Sequence, residues 1–303
     1  MHKERKNQLI GALMLLVAAF IWGFAFVAQR QGMDHIGPTT FNAVRSYVGV
    51  AALVPVVLVS DLIAGRNPFR MHPDHSKKDL WVGGILCGVL LALASNLQQM
   101  GIVETSAGKS GFLTALYIVF VPIFGIFLRR RTPLLGWISV GIATGGMYLL
   151  CITEGFSLKT GDILLLLCAL FYTAHILTVD RFVSATDGIR LSCLQFAVNA
   201  IVSTAFALIM ETPELPGILA AWKPILFTGL FSSGIAYTLQ ILAQKRCPPQ
   251  VASLIMSLES VFAVIGGWLV LNERLTPREG IGCILVFAAI ILIQFAPTKK
   301  REN

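Results

Sequence analysis

Residues 97–150, LQQMGIVETSAGKSGFLTALYIVFVPIFGIFLRRRTPLLGWISVGIATGGMYLL, and residues 239–293, LQILAQKRCPPQVASLIMSLESVFAVIGGWLVLNERLTPREGIGCILVFAAIILI, read as two copies of one pattern. Setting Leu97-Gln98 on Leu239-Gln240 lays Gly111-Phe112-Leu113-Thr114 on Ser253-Leu254-Ile255-Met256, Tyr117 on Glu259 and Gly125 on Gly267. A two-residue gap then brings Thr132-Pro133 onto Thr276-Pro277 and Gly136 onto Gly280. Upstream, an offset of 150 lays Trp22 on Tyr172, Asn42 on Ser192 and Arg45 on Gln195, so the correspondence runs through both halves.

The 303 residues are 55% apolar and 13% charged, against about 25% charged in soluble chains. Ten mostly apolar windows follow, at about 8–29, 38–60, 80–100, 107–128, 133–152, 161–179, 189–210, 220–243, 250–271 and 279–296. Each approaches the ~20 residues a helix needs to cross ~30 Å of hydrocarbon. Barrel strands would instead alternate over about ten residues. Each half holds five windows, and an odd number sends the second copy into the membrane from the opposite side. The reading is an all-α integral membrane protein of ten transmembrane helices in two inverted five-helix repeats, residues 1–152 and 153–303. Inverted repeats of this kind mark secondary transporters that rock around a midplane site.

The net charge of +8 is accounted for by topology. With a cytoplasmic N-terminus, the outer loops hold only Arg30, Lys109, Lys159, Lys223, Arg274 and Arg278 of the 24 Lys and Arg, and Arg45 alone lies inside a span. The rest, including Lys3, Lys77, Arg129 to Arg131, Arg246 and Lys299, fall inside. That bias places both termini in the cytoplasm of a multi-pass plasma (cell inner) membrane protein, with lipids as partners and no nucleic acid. The first span is too long for a signal-peptide core and lacks a small-residue cleavage site, so it is expected to stay as an anchor. The six cysteines are scattered without a CxxC pair and read as small packing residues.

The longest connection, 61–79, is too small for a soluble domain, which leaves no ATP-driven engine. Ala107-Gly108-Lys109-Ser110 is half a phosphate loop, because Val103 stands where the motif needs Gly. His72 and His75 form a single pair without further ligands. No HExxH, GxSxG or intramembrane aspartate pair appears, so no enzyme is expected and no cofactor beyond a proton gradient or an exchange substrate. Gly84xxxGly88 and Gly141xxxGly145 allow close helix approach, either internally or as the seam of a homodimer. Pro55 and Pro122 sit mid-span as hinges or static bends.

The run Ala18-Ala19-Phe20-Ile21-Trp22-Gly23-Phe24, the stretch Pro38 to Arg45, and Leu258-Glu259-Ser260-Val261-Phe262 leading to Leu271-Asn272-Glu273-Arg274-Leu275-Thr276 resemble the EamA-type proteins of the drug/metabolite transporter (DMT) superfamily. The likeness covers the whole chain. It implies a central cavity lined by spans one to four and six to nine, with spans five and ten peripheral. The family's Glu-Pro is Glu259-Ser260 here, which puts the bend a proline would make in question.

Polar groups inside spans are costly, about 2.5–3.5 kcal/mol for a central charge on insertion scales, so each needs a partner or a wet cavity. Arg45 shares a helical face with Asn42, Ser46 and Gly49, and the seventh span shows Ser192, Gln195, Asn199 and Ser203 at like spacing, two stripes that read as two walls of one cavity. Glu259 is either a proton-coupling carboxyl or a structural one, with Arg45 as its candidate partner. If Arg45 binds solute instead, a carboxylate or phosphate suits its planar fork. Lys109, above Ser110, Thr114 and Tyr117, either snorkels or touches substrate. Trp22 and Tyr172 occupy matching places for stacking on solute, with His175 one turn on. Tyr237 and Gln240, and Asn96 with Gln99, complete the candidate lining.

The expected activity is secondary transport of a small polar or zwitterionic organic solute, an amino acid or related metabolite, exported by alternating access. The alternatives are a multidrug or cation exporter, which Arg45 and Lys109 would repel, and a non-transporting membrane assembly partner or sensor.

Overall fold

The computed structural model describes residues 2–65, 67, 75–105, 107–128, 132–152, 159–271, 276–293 and 295, and gives backbone alone for 2–5, 107, 108, 151 and 271. The basic run 129–131, His72 and the 272–275 part of the resemblance lie outside the described residues.

The described residues are helical throughout, without a strand. In order they form α1 (His2–Gly32), α2 (Pro38–Ile63), α3 (Lys77–Glu104), α4 (Ala107–Ala115), α5 (Tyr117–Phe127), α6 (Leu134–Cys151), α7 (Thr160–Phe182), α8 (Gly188–Met210), α9 (Leu215–Ala220), α10 (Trp222–Phe227), a π-helical segment (Thr228–Ala236), α11 (Tyr237–Gln244), α12 (Pro249–Met256), α13 (Leu258–Leu271) and α14 (Pro277–Ile293). Helices are what such sequence allows in lipid, because each backbone group finds its partner within its own segment. Eight stretches are long and apolar enough to cross a membrane: Lys6–Gly32, Pro38–Ile63, Lys77–Glu104, Lys109–Phe127, Thr160–Phe182, Gly188–Met210, Trp222–Gln244 and Pro249–Val270. The apolar part of α6, Leu134–Leu150, is shorter. Leu13, Phe20, Val59, Ile85, Ile201, Leu208 and Ile284 point outward and exposed, an apolar girdle suited to lipid rather than water.

Turns of a few residues join most spans, so successive spans run in opposite directions. We call the end where α1 begins the near face and the end where it finishes the far face. Helix α3 packs on α7 and α8, α2 on α8 and the π segment, α1 on α13 and α11, and α6 on α14. Glycine sets several of these crossings. A Cβ on Gly49 would strike Ser233, and one on Gly229 would strike Val48 and the Arg45 carbonyl, so α2 lies hard against the π segment at the turn carrying Arg45. Gly84 and Gly88 face Leu194 and Val198 of α8, the internal role for that motif. Gly141 and Gly145 have nothing within 4 Å, and it is Gly146 that meets α14 at Gly282 and Leu285.

Two of the spans break within one residue of positions the repeat alignment pairs. Leu116 separates α4 from α5, and Ser257 separates α12 from α13. At the second break no proline is needed. The Ser260 hydroxyl donates to the Ser257 carbonyl at 2.7 Å and the Ser257 hydroxyl to that of Leu254 at 2.7 Å, hydroxyl back-bonding of the kind that bends helices.

The starts of α2 and α8 are held by each other's ends. Helix α2 has Gly37 at its N-cap and so no capping side chain of its own. The Glu211 carboxylate, just past α8, accepts from the Thr39 and Thr40 backbone N–H at 2.8 and 2.9 Å and from the Thr40 hydroxyl, satisfying orphan donors at a helix N-terminus. At the near face Arg190, in the first turn of α8, pairs with Asp61 in the last turn of α2 at 2.5 Å. The offset of 150 that pairs Arg45 with Gln195 also pairs Asp61 with Glu211 and Thr40 with Arg190.

Candidate functional site

Where α1, α2, α3, α7 and the broken spans converge, a cavity holds about 470 Å³ of empty space, counting its mouth. Its walls carry Trp22, Phe26 and Gln29 from α1, Arg45 from α2 and Gln98 from α3. Thr114 and Tyr117 flank the Leu116 break, and Met256 and Glu259 flank the Ser257 break. Tyr172 and Ile176 of α7, Ser232 of the π segment, and Tyr237 and Gln240 of α11 close it. Interrupted helices expose backbone and reorient side chains, which is why sites gather at them. Among the described residues none of the lining comes from α6 or α14.

A guanidinium and a carboxyl group face this space without pairing. The Arg45 guanidinium, 5% exposed, donates from Nε to Asn42 Oδ1 and from Nη1 to Gln29 Oε1, both at 2.9 Å. Its partners are thus neutral amides, with the Phe41 ring 5.9 Å from its Cζ. The Glu259 carboxylate, also 5% exposed, accepts from the Tyr117 hydroxyl at 3.0 Å. Tyr117 and Glu259 are the two residues laid on one another by the repeat alignment, and they meet here. Trp22 with Tyr172, Gln98 with Gln240 and Thr114 with Met256 are likewise aligned pairs whose two members both line the cavity.

A relay of hydrogen bonds fixes the remaining wall. Tyr237 Oη donates to Tyr172 Oη at 3.2 Å, and Tyr172 Oη donates to Gln98 Oε1 at 3.3 Å. The Trp22 and Tyr237 rings meet edge to face with centroids 4.8 Å apart. Trp22 Nε1 and Gln240 Oε1, a donor and an acceptor on the lining, are buried without a protein partner. Buried polar atoms left in that condition cost about 1–3 kcal/mol each.

Other sequence candidates go elsewhere. The polar stripes of α2 and α8 are not two cavity walls but one seam. Asn42 Nδ2 reaches Ser203 Oγ and Ser95 Oγ at 2.9 Å, and Asn199 Nδ2 reaches Ser46 Oγ at 3.1 Å. Asn42 therefore orients Arg45 from behind, and Asn199 supports Asn42. Helix α8 contributes nothing to the cavity, against the lining expected for the seventh span. Gln195 instead binds His175 Nε2 at 2.9 Å. Lys109 does not line the cavity, and its Nζ pairs with Asp162 at 2.6 Å toward the far face. Thr105 also donates to Asp162, and Arg30 donates to the Thr105 carbonyl, so α1, α3, α4 and α7 are tied together there. Asn96 is spent on Ser203 and the Ala92 carbonyl. Gln29 and Ser232 were not legible as site residues; only the intramembrane amide of Gln29, seven residues past Trp22 on one helical face, offered a signal. Among the described residues no group of three or more His, Cys, Asp or Glu is placed to hold a metal ion.

The sequence matches the EamA-like transporter family over residues 9–152 and again over 159–295. The chain belongs to that family. An EamA-like chain of this length is similar to an uncharacterized transporter of Archaeoglobus fulgidus, 29% identical over 296 residues, covering 96% of this chain and 87% of the relative. It is 23% identical to an uncharacterized transporter of Bacillus subtilis, covering 95% and 98% of the two chains. The S-adenosylmethionine/S-adenosylhomocysteine transporter of Chlamydia muridarum is 24% identical over 87% of this chain and 85% of its own. A solved crystal structure superposes with a TM-score of 0.76 over 93% of this EamA-like chain and 95% of its own at 16% identity, which speaks to the fold alone. Family and apolar spans together make this a multi-pass membrane protein of transporter type.

Proposed function

We propose that this EamA-like protein is a secondary active transporter of a small zwitterionic organic solute, an amino acid or related metabolite, moved outward by alternating access. One observation carries the reading: a buried guanidinium and a buried carboxyl, Arg45 and Glu259, line one cavity without pairing to each other. A zwitterion answers both, with its carboxylate on the Arg45 fork and its ammonium on Glu259 beside the tyrosine and tryptophan faces. A purely cationic cargo would meet Arg45 in the same space. The named cargo of the Chlamydia muridarum relative carries an amino-acid moiety, which agrees with this class.

Energy comes from a proton or an exchanged solute. Glu259 can hold a proton or face an ammonium group, and trading one for the other links proton movement to cargo. The ten-helix inverted repeat is supported by the two separate family matches and by the aligned pairs on the cavity wall. In this reading α6 and α14 are the fifth and tenth spans, the near face is cytoplasmic by its arginines and lysines, and the membrane is the cell's inner one.

Proteoliposomes holding the full chain, given a pool of radiolabelled amino acids under an imposed pH gradient, test it. Uptake that vanishes in Glu259→Gln, while the purified variant remains monodisperse, is the expected result. Absence of flux for every solute in wild type would sink the reading in favour of a partner or sensor role.

A further inference from the structure

Helices α2 and α8 begin at opposite faces, and Arg45 and Gln195 each lie seven residues past the first residue of their helix. At 1.5 Å per residue each sits about 10 Å in from its own face. They are equivalent positions approached from opposite sides, yet Arg45 opens to the cavity and Gln195 does not.

What closes Gln195 off is visible. Gln195 and His175 are both 0% exposed and joined by their 2.9 Å hydrogen bond. The edge-to-face ring of Tyr237 stands 6.1 Å from the His175 ring, and Tyr237 itself lines the cavity. Ile176, next to His175, lines it too. The pair is therefore one aromatic ring behind the wall. In the first repeat the residue aligned with Tyr237 is Ser95, too small to screen anything.

The pair is also incomplete. His175 Nδ1 and Gln195 Nε2 are buried without a protein partner. With Nε2–H donating to the Gln195 carbonyl oxygen, the tautomer this contact assigns, Nδ1 remains an acceptor and the Gln195 amide a donor. The free acceptor needs a donor and the free donor an acceptor, and a hydroxyl or a primary amide supplies both.

We infer that His175 and Gln195 form a second, near-side subsite for the transported solute, screened in this structure by Tyr237, which takes a neutral hydroxyl or primary amide group of that solute. The inference rests on the transport reading above. When Tyr237 swings from the wall, the cavity extends toward the near face, and the solute's polar side chain has partners there while its carboxylate stays with, or leaves, Arg45.

Accessibility tests the subsite independently of flux. Right-side-out and inverted vesicles carrying the full chain with Gln195→Cys are treated with a charged, membrane-impermeant methanethiosulfonate, and modification at each cysteine is read by peptide mapping. Position 195 should react at least tenfold faster when Tyr237→Ala is added, and at an unchanged rate with Tyr237→Phe. Arg45→Cys in a parallel preparation should react from the far face. Reaction at position 45 with none at 195, even beside Tyr237→Ala, overturns the subsite alone. No reaction at either position overturns the cavity and the transport reading with it. The chemical class is tested on the wild-type chain by competition against a radiolabelled amino-acid pool. Glutamine and serine should compete severalfold better than alanine or valine, and Gln195→Leu should erase the difference. Equal competition in wild type would defeat the assignment of a hydroxyl or amide group.

Discussion

Arg45 is fixed by two amide oxygens, so its fork is aimed before any solute arrives, and little ordering remains to be done on binding. Charged hydrogen bonds of this kind contribute about 1.5–3 kcal/mol each. Arg45→Ala should therefore weaken binding of carboxylate-bearing solutes by about tenfold to a hundredfold, measured by equilibrium dialysis with labelled solute, and Arg45→Lys should recover only part of it because an ammonium cannot make the bidentate contact. Unchanged affinity in Arg45→Ala would remove Arg45 from the site. Tyr117→Phe deletes the hydroxyl that donates to the Glu259 carboxylate while keeping the ring. It should leave the fold intact and shift the pH dependence of the flux that Glu259→Gln abolishes; a Tyr117→Phe profile superimposable on wild type would show that the contact does not tune the coupling.

At the scale of elements, the reciprocal hold of α2 and α8 sets the frame around Arg45. Burial by itself would raise the Glu211 carboxyl, but the hydrogen bonds from Thr40 and Thr39 outweigh it and keep the group below the usual glutamate range. A carboxyl depressed in the folded state contributes stability that is fully present above its unfolded value of about 4.3 and is lost as pH falls through the lower folded value. The thermal midpoint in detergent should thus drop on acidification below about pH 4 through this group, and the step should be smaller in Glu211→Gln, which starts from a lower midpoint at neutral pH. An identical acid profile in the two proteins would show that Glu211 does not hold α2. Glycine contacts give a second comparison. Gly146→Val forces a side chain into the Gly282 carbonyl and Leu285 of α14 and should cost about 1–3 kcal/mol. A Cβ on Gly141 meets nothing within 4 Å, so Gly141→Val should be nearly neutral in a monomer. A loss of stability or of an oligomer band with Gly141→Val would instead mark that face as a seam between two copies.

For the whole molecule, composition already decided the solvent: so apolar a chain with so few charges has no soluble fold available, and long apolar windows in lipid become helices because no other backbone arrangement satisfies itself there. Eight of the windows appear as spans of sufficient length, whereas the breaks at Leu116 and Ser257 were not read from the sequence, which offered bends at Pro55 and Pro122 instead. Intramembrane charge pointed to Arg45 and Glu259 for a reason that holds in any bilayer, the cost of leaving a charge in hydrocarbon. Helical spacing alone could not say which neighbours a polar stripe would meet. Asn42 and Asn199 share a periodicity that fits a cavity wall as well as a seam, and only the crossing of α2 on α8 and the glycine contact with the π segment turned that stripe inward on itself and left Arg45 facing the open space. Lys109 was drawn to Asp162, 53 residues on, by a pairing no local pattern encodes. Sequence by itself thus determined the solvent, the helices and the buried charges, since each follows from the transfer cost of single residues. Which of those charges share a cavity, and which ring packs on His175, was decided by tertiary packing, because contacts between distant helices depend on shapes that no single segment carries.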